Sequence, residues 1–164
     1  MPQDQQDPEF DFLGTNENDK IAEGFQNERG DSLGDALDGN RVNGRAGDDT
    51  ITMGDGANLA AGDMVGDEWS FVDGKWVYNQ DAVVASDMGT TRSYDDVITT
   101  GSGDDVLLGN GGADVLTSGA GKDLINAGTG NDRAFAGDGN DIVNLEHGND
   151  YACLLYTSPS PRDA

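Results

Sequence analysis

Aspartates recur every nine residues through the second half of this chain. Six consecutive nine-residue units read TGSGDDVLL, GNGGADVLT, SGAGKDLIN, AGTGNDRAF, AGDGNDIVN and LEHGNDYAC. The sixth position of each unit is an aspartate, and these aspartates are Asp105, Asp114, Asp123, Asp132, Asp141 and Asp150. Carboxylates are the hard oxygen ligands that calcium prefers, and calcium takes roughly six to eight oxygens in irregular geometry. A regular row of aspartates therefore predicts calcium sites, provided that the fold brings successive units together.

The rest of the unit indicates how the fold does this. The fourth position is always glycine, which reaches backbone angles that other residues adopt only at a cost and lets carbonyl groups crowd one point. The last three positions have an apolar residue in the middle, which is typical of a short strand with one side chain facing inward. A turn, a strand, a turn and a strand make an 18-residue coil. We therefore predict an all-β fold, a parallel β-roll (a β-helix solenoid) built from nonapeptide repeats.

Residues 18 apart in such a roll lie on the same edge, at about 4.8 Å from one another. One edge is then expected to carry Asp96, Asp114, Asp132 and Asp150, and the other Asp105, Asp123 and Asp141. Neighbouring carboxylates at this spacing repel by roughly 1 kcal/mol in water and by more in a drier setting. A hard divalent cation between successive turns reverses the sign of that interaction. Magnesium demands stricter octahedral geometry, and a chain with one histidine and one cysteine offers little to zinc or copper.

The six units resemble the RTX (repeats-in-toxin) family, whose unit reads G-G-x-G-x-D-x-U-x with U a large apolar residue. The resemblance implies a calcium-loaded β-roll in a secreted bacterial protein, exported by a type I route with an uncleaved C-terminal signal. It also implies about four calcium sites between residues 100 and 152, at the pairs 105/123, 123/141, 114/132 and 132/150. The glycines that it assigns to the turns of these sites are Gly101, Gly103, Gly112, Gly119, Gly121, Gly128, Gly130, Gly137, Gly139 and Gly148. The unit around Asp96 lacks both glycines, and Asn110 and Glu146 replace the second glycine elsewhere.

A second, weaker ladder lies upstream in a different frame. Its sixth positions are Asp31, Asn40, Asp49, Asn58 and Asp67, and its eighth positions are Leu33, Val42, Ile51, Ala60 and Trp69. We expect Asp31, Asp49 and Asp67 to stack on one edge as weaker calcium ligands. Asn40 and Asn58 are expected on the other edge as weaker, neutral ligands. Calcium binding and a metal-free structural roll both remain open for this ladder. The segment GTNENDKIA around Asp19 looks like another degenerate unit.

The segment EWSFVDGKWVYN separates the two ladders. Asp73-Gly74 lies between two short alternating runs, which predicts a β-hairpin. Its aromatic residues Trp69, Phe71, Trp76 and Tyr78 allow two interpretations, a patch for a partner or carbohydrate, or a hairpin that covers the end of the roll. The second interpretation is the commoner structural one.

These patterns divide the chain into five segments. We expect a degenerate N-terminal cap at 1–30, a weak roll ladder at 31–69, a hairpin insertion at 70–95, a calcium-binding roll at 96–152 and a non-native tail at 153–164. The tail sequence CLLYTSPSPRD can be written in codons that resemble a transposase adapter used in library preparation. Cys153 and the residues after it are therefore expected to carry no functional weight, and the natural protein is expected to continue beyond Ala152.

The charge and composition of the chain argue against several classes of function. A formal charge of −23 argues against nucleic acid and anionic membrane surfaces as partners, and for cations. No apolar run approaches the length of a membrane span, and the N-terminus lacks the pattern of a cleavable signal peptide. The single His147 excludes an H-E-x-x-H protease motif, and no G-x-S-x-G elbow occurs. We predict a non-enzymatic, extracellular calcium-binding structural module that folds on calcium binding after export. The alternatives are the non-catalytic part of a secreted RTX enzyme or toxin, and an adhesin or ice-binding roll with a regular outward row of threonines.

Overall fold

The computed structural model describes residues 12–26, 33, 40–63, 69–78 and 94–155. Within these residues all regular structure is β-strand. The strands are β1 (Phe12–Leu13), β2 (Lys20–Ile21), β3 (Arg41–Arg45), β4 (Thr50–Thr52), β5 (Leu59–Asp63), β6 (Trp69–Val72), β7 (Lys75–Tyr78), β8 (Val97–Thr99), β9 (Val106–Leu108), β10 (Val115–Thr117), β11 (Ala120–Gly121), β12 (Leu124–Asn126), β13 (Thr129–Gly130), β14 (Arg133–Gly139), β15 (Ile142–Asn144), β16 (His147–Gly148) and β17 (Tyr151–Leu155).

Two parallel sheets form the two long faces of the molecule. Sheet 1 has the order β1-β3-β5-β9-β12-β15, and sheet 2 runs β2-β4-β8-β10-β14, with β17 and β11 also paired to β14. The chain alternates between the sheets, so one strand of each sheet and the two turns between them make one coil. Successive coils stack with residues 18 apart in register, for example Leu107 opposite Ile125 and Leu116 opposite Ala134. The predicted parallel β-roll is confirmed.

The core lies between the two sheets and is formed mainly by the central residues of their strands. Sheet 1 contributes Phe12, Val42, Ala60, Leu107 and Ile125, and sheet 2 contributes Ile21, Ile51, Ile98, Leu116 and Ala134. Because side chains alternate between the two faces of a strand, a three-residue strand sends only its central side chain inward. The predicted inward eighth positions are confirmed at these residues apart from Phe12, which the repeat pattern did not predict, and the eighth position at Val143 is only partly buried. Ala152 is exposed because β17 lies at the edge of sheet 2.

The upstream and downstream ladders form one continuous roll. Strand β4 pairs with β8 and β5 pairs with β9, so the segment between Asp63 and Tyr94 is an insertion that leaves the stacking intact. The neighbours of Asp49 in the stack are Asp19 and Asp96. Our expected column of Asp31, Asp49 and Asp67 is therefore wrong at Asp49, and Asp31 and Asp67 themselves lie outside the described residues.

The roll also begins earlier than expected. Strands β1 and β2 pair with β3 and β4, so the first coil that the structure describes includes Phe12 and lies inside the segment that we expected to be a cap. Leu33 is buried in the same core and exchanges backbone hydrogen bonds with Gly24 and Phe25. The repeat signal is weak here because the next coil begins only after residues 22–40, which breaks the period of nine.

The hairpin forms as predicted but packs on the side of the roll. Strands β6 and β7 are antiparallel, and Asp73 and Gly74 both have left-handed φ values, 50° and 77°, as a tight two-residue turn requires. Trp76 is buried against the outer surface of sheet 1, where it joins a cluster with Leu59, Val106 and Leu108. The interpretation of a hairpin over the end of the roll is therefore wrong. The side chains of Trp69, Phe71 and Tyr78 lie outside the described part of the structure.

The C-terminal strand β17 extends to Leu155 and pairs with β14. Its regular register ends at Cys153, because the pairing shifts by one residue at Ala136, between Cys153 and Leu154. The first residues of the expected non-native tail therefore continue a strand of sheet 2. Over the described ranges the chain has no helix with the length and apolar character needed to cross a membrane.

Candidate metal centre

Two columns of acidic and amide side chains follow the edges of the roll, one residue before each strand. The Asp114 column precedes sheet 2 and consists of Asp19, Asp49, Asp96, Asp114, Asp132 and Asp150. The Asp105 column precedes sheet 1 and consists of Asn40, Asn58, Asp105, Asp123 and Asp141. Within each column the backbone N–H of one member donates to Oδ1 of the member in the next coil, at 2.8–3.1 Å. The structure thus stacks all seven predicted downstream aspartates as their spacing indicated.

The second carboxylate oxygen of most of these aspartates is buried and lacks a partner. Oδ2 forms no hydrogen bond in Asp49, Asp96, Asp105, Asp114, Asp123 and Asp132. Each of these side chains is at least 98% buried. A buried ionised oxygen without a partner is costly, so such groups in proteins are paired or coordinate a metal. Six orphaned carboxylate oxygens in two regular columns fit a series of hard cations.

Burial opposes ionisation of the same carboxyl groups. Loss of hydration raises the pKa of Asp96 to about 8 and the pKa values of Asp105 and Asp114 to about 7. It raises the pKa of Asp49 to about 6, and it also raises the pKa values of Asp123 and Asp132. The hydrogen bonds from the preceding coil lower these pKa values only in part. A neighbouring carboxylate of the column raises them further, which is the preceding one, Asp19, for Asp49 and the next one for the other five. A divalent cation beside Oδ2 removes this opposition because it favours the ionised form.

The turns need glycine because successive coils crowd each other there. A Cβ on Gly121 would overlap the carbonyl oxygen of Gly103, and a Cβ on Gly130 would overlap that of Gly112. At the second position of the turns the backbone is left-handed at Gly119 (φ 93°) and also at Asn110 and Glu146, with φ values of 72° and 59°. The two substituted units therefore keep the turn conformation that their neighbours reach with glycine. The other predicted turn glycines with left-handed φ are Gly103, Gly112, Gly121, Gly128, Gly130, Gly137 and Gly148, while Gly101 and Gly139 differ in lacking it.

The fifth position forms a second ladder that the spacing of the sixth-position aspartates did not reveal. Asp48 Oδ1 accepts the N–H of Asp95 at 3.1 Å, Asp95 Oδ1 accepts the N–H of Ala113 at 2.8 Å, and Asp104 Oδ1 accepts the N–H of Lys122 at 3.0 Å. These bonds run in the opposite direction to those of the sixth position. The recurring Asp-Asp pairs at 48–49, 95–96 and 104–105 were the available signal. The two residues of each pair tie one coil to both of its neighbours.

Asn58 has a different role from the neutral ligand that we expected. Its Oδ1 accepts the N–H of Asn40 at 3.1 Å, as an aspartate in the column would. Its Nδ2 donates to the carbonyl oxygens of Gly54 and Gly56 at 3.0 and 2.9 Å. Those carbonyls belong to the second and fourth positions of its own turn. The amide nitrogen therefore occupies the place that corresponds to the orphaned Oδ2 of the aspartate units.

The donor set fits a cation held largely by backbone oxygens. In the part of the chain that the structure describes, no three His, Cys, Asp or Glu side chains are grouped so that they could hold a metal ion. Each buried aspartate offers one available oxygen, and the contacts of Asn58 show that two turn carbonyls face that position. Calcium accepts carboxylate and backbone carbonyl oxygens together, whereas zinc sites are built from nitrogen and sulfur. The predicted Asp and Gly turns are therefore suited to calcium.

Asp63 is a half-buried acid that the repeat pattern did not reveal. It ends β5 opposite Arg45, at the point where the insertion leaves the roll. Burial raises its pKa to about 7, although a hydrogen bond from the N–H of Gly111 opposes the rise. The N–H of Tyr94, where the chain returns, donates to the carbonyl of the same Gly111 at 2.9 Å. Gly111 therefore joins both ends of the insertion to the next coil.

The fold and the aspartate columns define a calcium-binding repeat module built as a parallel β-roll. Comparison with protein families agrees, because the model of the RTX calcium-binding nonapeptide repeat (4 copies) matches residues 36–63, 90–125 and 118–152. The chain belongs to this RTX family, whose repeats bind calcium and are typical of secreted bacterial proteins. The matched ranges omit most of the insertion and the first coil. No curated protein and no solved structure matches the chain.

Proposed function

We propose that calcium binding drives the folding of this roll and that the folding takes place after export from the cell. The observation that carries the proposal is the set of buried, unpartnered Oδ2 atoms in both columns. Without a cation these oxygens must either stay ionised without a partner or take up protons. With calcium they become ligands, and the free energy of calcium binding contributes directly to folding.

The sites that we propose lie between residues 100 and 152, about four in number. Asp105 with Asp123 and Asp123 with Asp141 serve one edge, and Asp114 with Asp132 and Asp132 with Asp150 serve the other. In each, Oδ2 of a buried aspartate and the turn carbonyls supply oxygen ligands, and the glycines keep side chains out of the turn. The cation supplies positive charge where the carboxylates of successive coils repel. Asp49 and Asp96 have the same orphaned oxygen and extend the proposal upstream, whereas Asp31 and Asp67 stay sequence predictions.

An extracellular location follows from the same chemistry. Cytosolic calcium is held low, so sites of modest affinity stay empty before export and fill outside the cell. The strongly acidic chain, at −23, then keeps itself extended by mutual repulsion until calcium neutralises it. A type I route is the export mechanism that the family membership suggests.

Circular dichroism of the metal-free chain during calcium addition tests the proposal. We expect a cooperative gain of β-sheet signal with calcium and a much smaller gain with magnesium at the same concentration, because magnesium gives up its waters reluctantly and demands octahedral geometry. Identical spectra with calcium and with a chelator would show that folding is independent of the ion and would end the proposal.

A further inference from the structure

We propose that Asn58 takes the place of a calcium ion in its own turn, so that this turn folds without metal while the aspartate turns stacked on it require calcium. The inference rests on the proposed calcium sites and adds that one member of the Asp105 column is built to exclude the ion. It concerns the turn of residues 53–58, which connects β4 to β5.

The orientation of the Asn58 amide is fixed by its contacts. Oδ1 accepts the backbone N–H of Asn40, so the other terminal atom must be the nitrogen. That nitrogen carries two protons, and two carbonyl oxygens, those of Gly54 and Gly56, lie at 3.0 and 2.9 Å from it. Each proton therefore has an acceptor, and the fully buried side chain leaves no polar atom unsatisfied. A positively polarised group sits among carbonyl oxygens, which is where the aspartate turns would hold a cation.

The next member of the column shows what the amide replaces. Asp105 Oδ1 accepts the N–H of Asn58 at 2.8 Å, which is the same backbone contact that Asn58 makes with Asn40. Asp105 Oδ2 then occupies the place of the amide nitrogen, and it has no hydrogen-bond partner. A carboxylate cannot donate to the carbonyls of its own turn, Gly101 and Gly103. An ionised aspartate at this position therefore needs a cation, and an asparagine does not.

A second feature of the same turn supports this assignment. Between successive aspartate turns from residue 100 onward, the N–H of the third position donates to the carbonyl of the second position in the preceding coil, as from Ala120 to Gly101 at 3.0 Å. At the asparagine turn the corresponding N–H, that of Ser102, donates instead to Asp55 Oδ1 at 3.0 Å, and the Ser102 hydroxyl donates to the same atom at 2.7 Å. Asp55 thereby leaves the Gly54 carbonyl available to Asn58. The asparagine turn therefore differs from the aspartate turns in the contacts of two residues, Asn58 and Asp55, and the contacts of Asp55 leave room for those of Asn58.

The position of the Asn58 turn, next to the calcium-dependent coils, gives it a structural role. Asn58 lies directly below Asp105, and β5 pairs with β9 at the start of the well-matched repeats. Trp76 packs across the same boundary, against Leu59 of β5 and Val106 of β9. A coil that is complete on this edge without calcium presents an ordered surface on which the calcium-dependent coils can stack. Asn58 therefore places a metal-free turn directly before the calcium-dependent coils of this edge.

Exchanging asparagine and aspartate in the column of the full chain tests the inference. Asn58→Asp is expected to raise the calcium bound at saturation by about one ion per chain and to shift the calcium midpoint of folding upward. Asp105→Asn is expected to lower the calcium bound by about one ion per chain and to shift the calcium midpoint of folding downward. The matched control is Asn140→Asp, which adds the same charge at an exposed fifth position of the same edge and should leave the stoichiometry unchanged.

Several results would overturn the inference while leaving the proposed function intact. They are an Asn58→Asp variant with the stoichiometry and midpoint of the parent, an Asn58→Asp variant that does not fold in saturating calcium, and an Asp105→Asn variant whose calcium midpoint rises as that of an alanine variant would. Failure of the parent chain itself to bind calcium would instead remove the proposed function. Equilibrium dialysis with radioactive calcium and circular dichroism measure the two quantities separately.

Discussion

The backbone N–H of Asp49 donates to Oδ1 of Asp96 at 2.8 Å, although 47 residues separate them in sequence. Every corresponding pair further along the column is 18 residues apart, as from Asp96 to Asp114. The same excess of 29 residues separates Asn58 from Asp105 in the other column. Both edges of the roll therefore keep the stacking contact across the insertion, and the aspartate ladder continues through it.

Removal of residues 64–92 is predicted to leave the roll and its calcium sites intact. The deletion joins Asp63 to Ser93 and produces the contiguous unit GDSYDDVIT, which has the length and the aspartate of a normal repeat. The calcium bound and the calcium-induced circular dichroism should match those of the parent. The outer surface of sheet 1 should become exposed at Leu59, Val106 and Leu108, which raises binding of a hydrophobic dye. Loss of calcium-induced folding in the deleted chain would show that the insertion is needed for the stack.

The repeat period was sufficient to predict the parallel roll, the inward residues and the composition of both downstream columns. It succeeded because the stack repeats one local conformation, so sequence separation determines spatial separation directly. The same logic failed upstream, where Asp49 stacks on Asp96 and not on Asp67. A frame shift in the sequence does not say whether a new stack begins or an insertion is looped out, since that depends on contacts between distant coils.

The position of the hairpin and the role of Asn58 could not be predicted from the repeat pattern either. Asp73-Gly74 predicted the turn from local conformation alone, but the packing of Trp76 on Leu59 and Val106 depends on outward residues brought together from different coils. Asparagine at the sixth position looked like a weaker oxygen ligand. Only the positions of the Gly54 and Gly56 carbonyls reveal that its amide nitrogen makes the contacts within the turn.

Replacing Asp123 by alanine is predicted to weaken two calcium sites at once. The change removes the orphaned Oδ2 and also the Oδ1 that accepts the N–H of Asp105, which leaves a buried donor unsatisfied at a cost of about 1–3 kcal/mol. The calcium midpoint should rise and the calcium bound should fall. The control is Asp138→Ala, which removes an exposed carboxylate of the same edge outside the column. Equal effects of the two variants would indicate that only overall charge matters.

The stability of the metal-free roll is predicted to fall as pH rises. The folded-state pKa values of Asp96, Asp105 and Asp114, about 7 to 8, lie above the ordinary value of 3.8. Between these values the folded chain binds more protons than the unfolded chain, so unfolding becomes easier with increasing pH and the effect is complete above about pH 8. Circular dichroism of the chain in metal-free buffer from pH 5 to pH 8 measures this trend as a loss of β-sheet signal with increasing pH.

Calcium should reverse that trend, because the ligand carboxylates must lose their protons to bind the ion. The urea midpoint in saturating calcium is therefore expected to rise over the same range of pH. Parallel trends with and without calcium would mean that these carboxyl groups are not its ligands.

Gly139→Ala is predicted to separate neighbouring coils, whereas Gly54→Ala should be tolerated. Neither glycine has a left-handed φ, so the comparison isolates the effect of space. A Cβ on Gly139 would overlap the carbonyl oxygen of Gly121, while nothing lies within 4 Å of the corresponding position on Gly54. Because the obstacle is backbone, it can yield only if the coils move apart, which lengthens the hydrogen bond from Asp123 to Asp141 Oδ1. We expect Gly139→Ala to lower both the calcium affinity and the urea midpoint in calcium. Equal midpoints for Gly139→Ala and Gly54→Ala would contradict the close stacking of the turns.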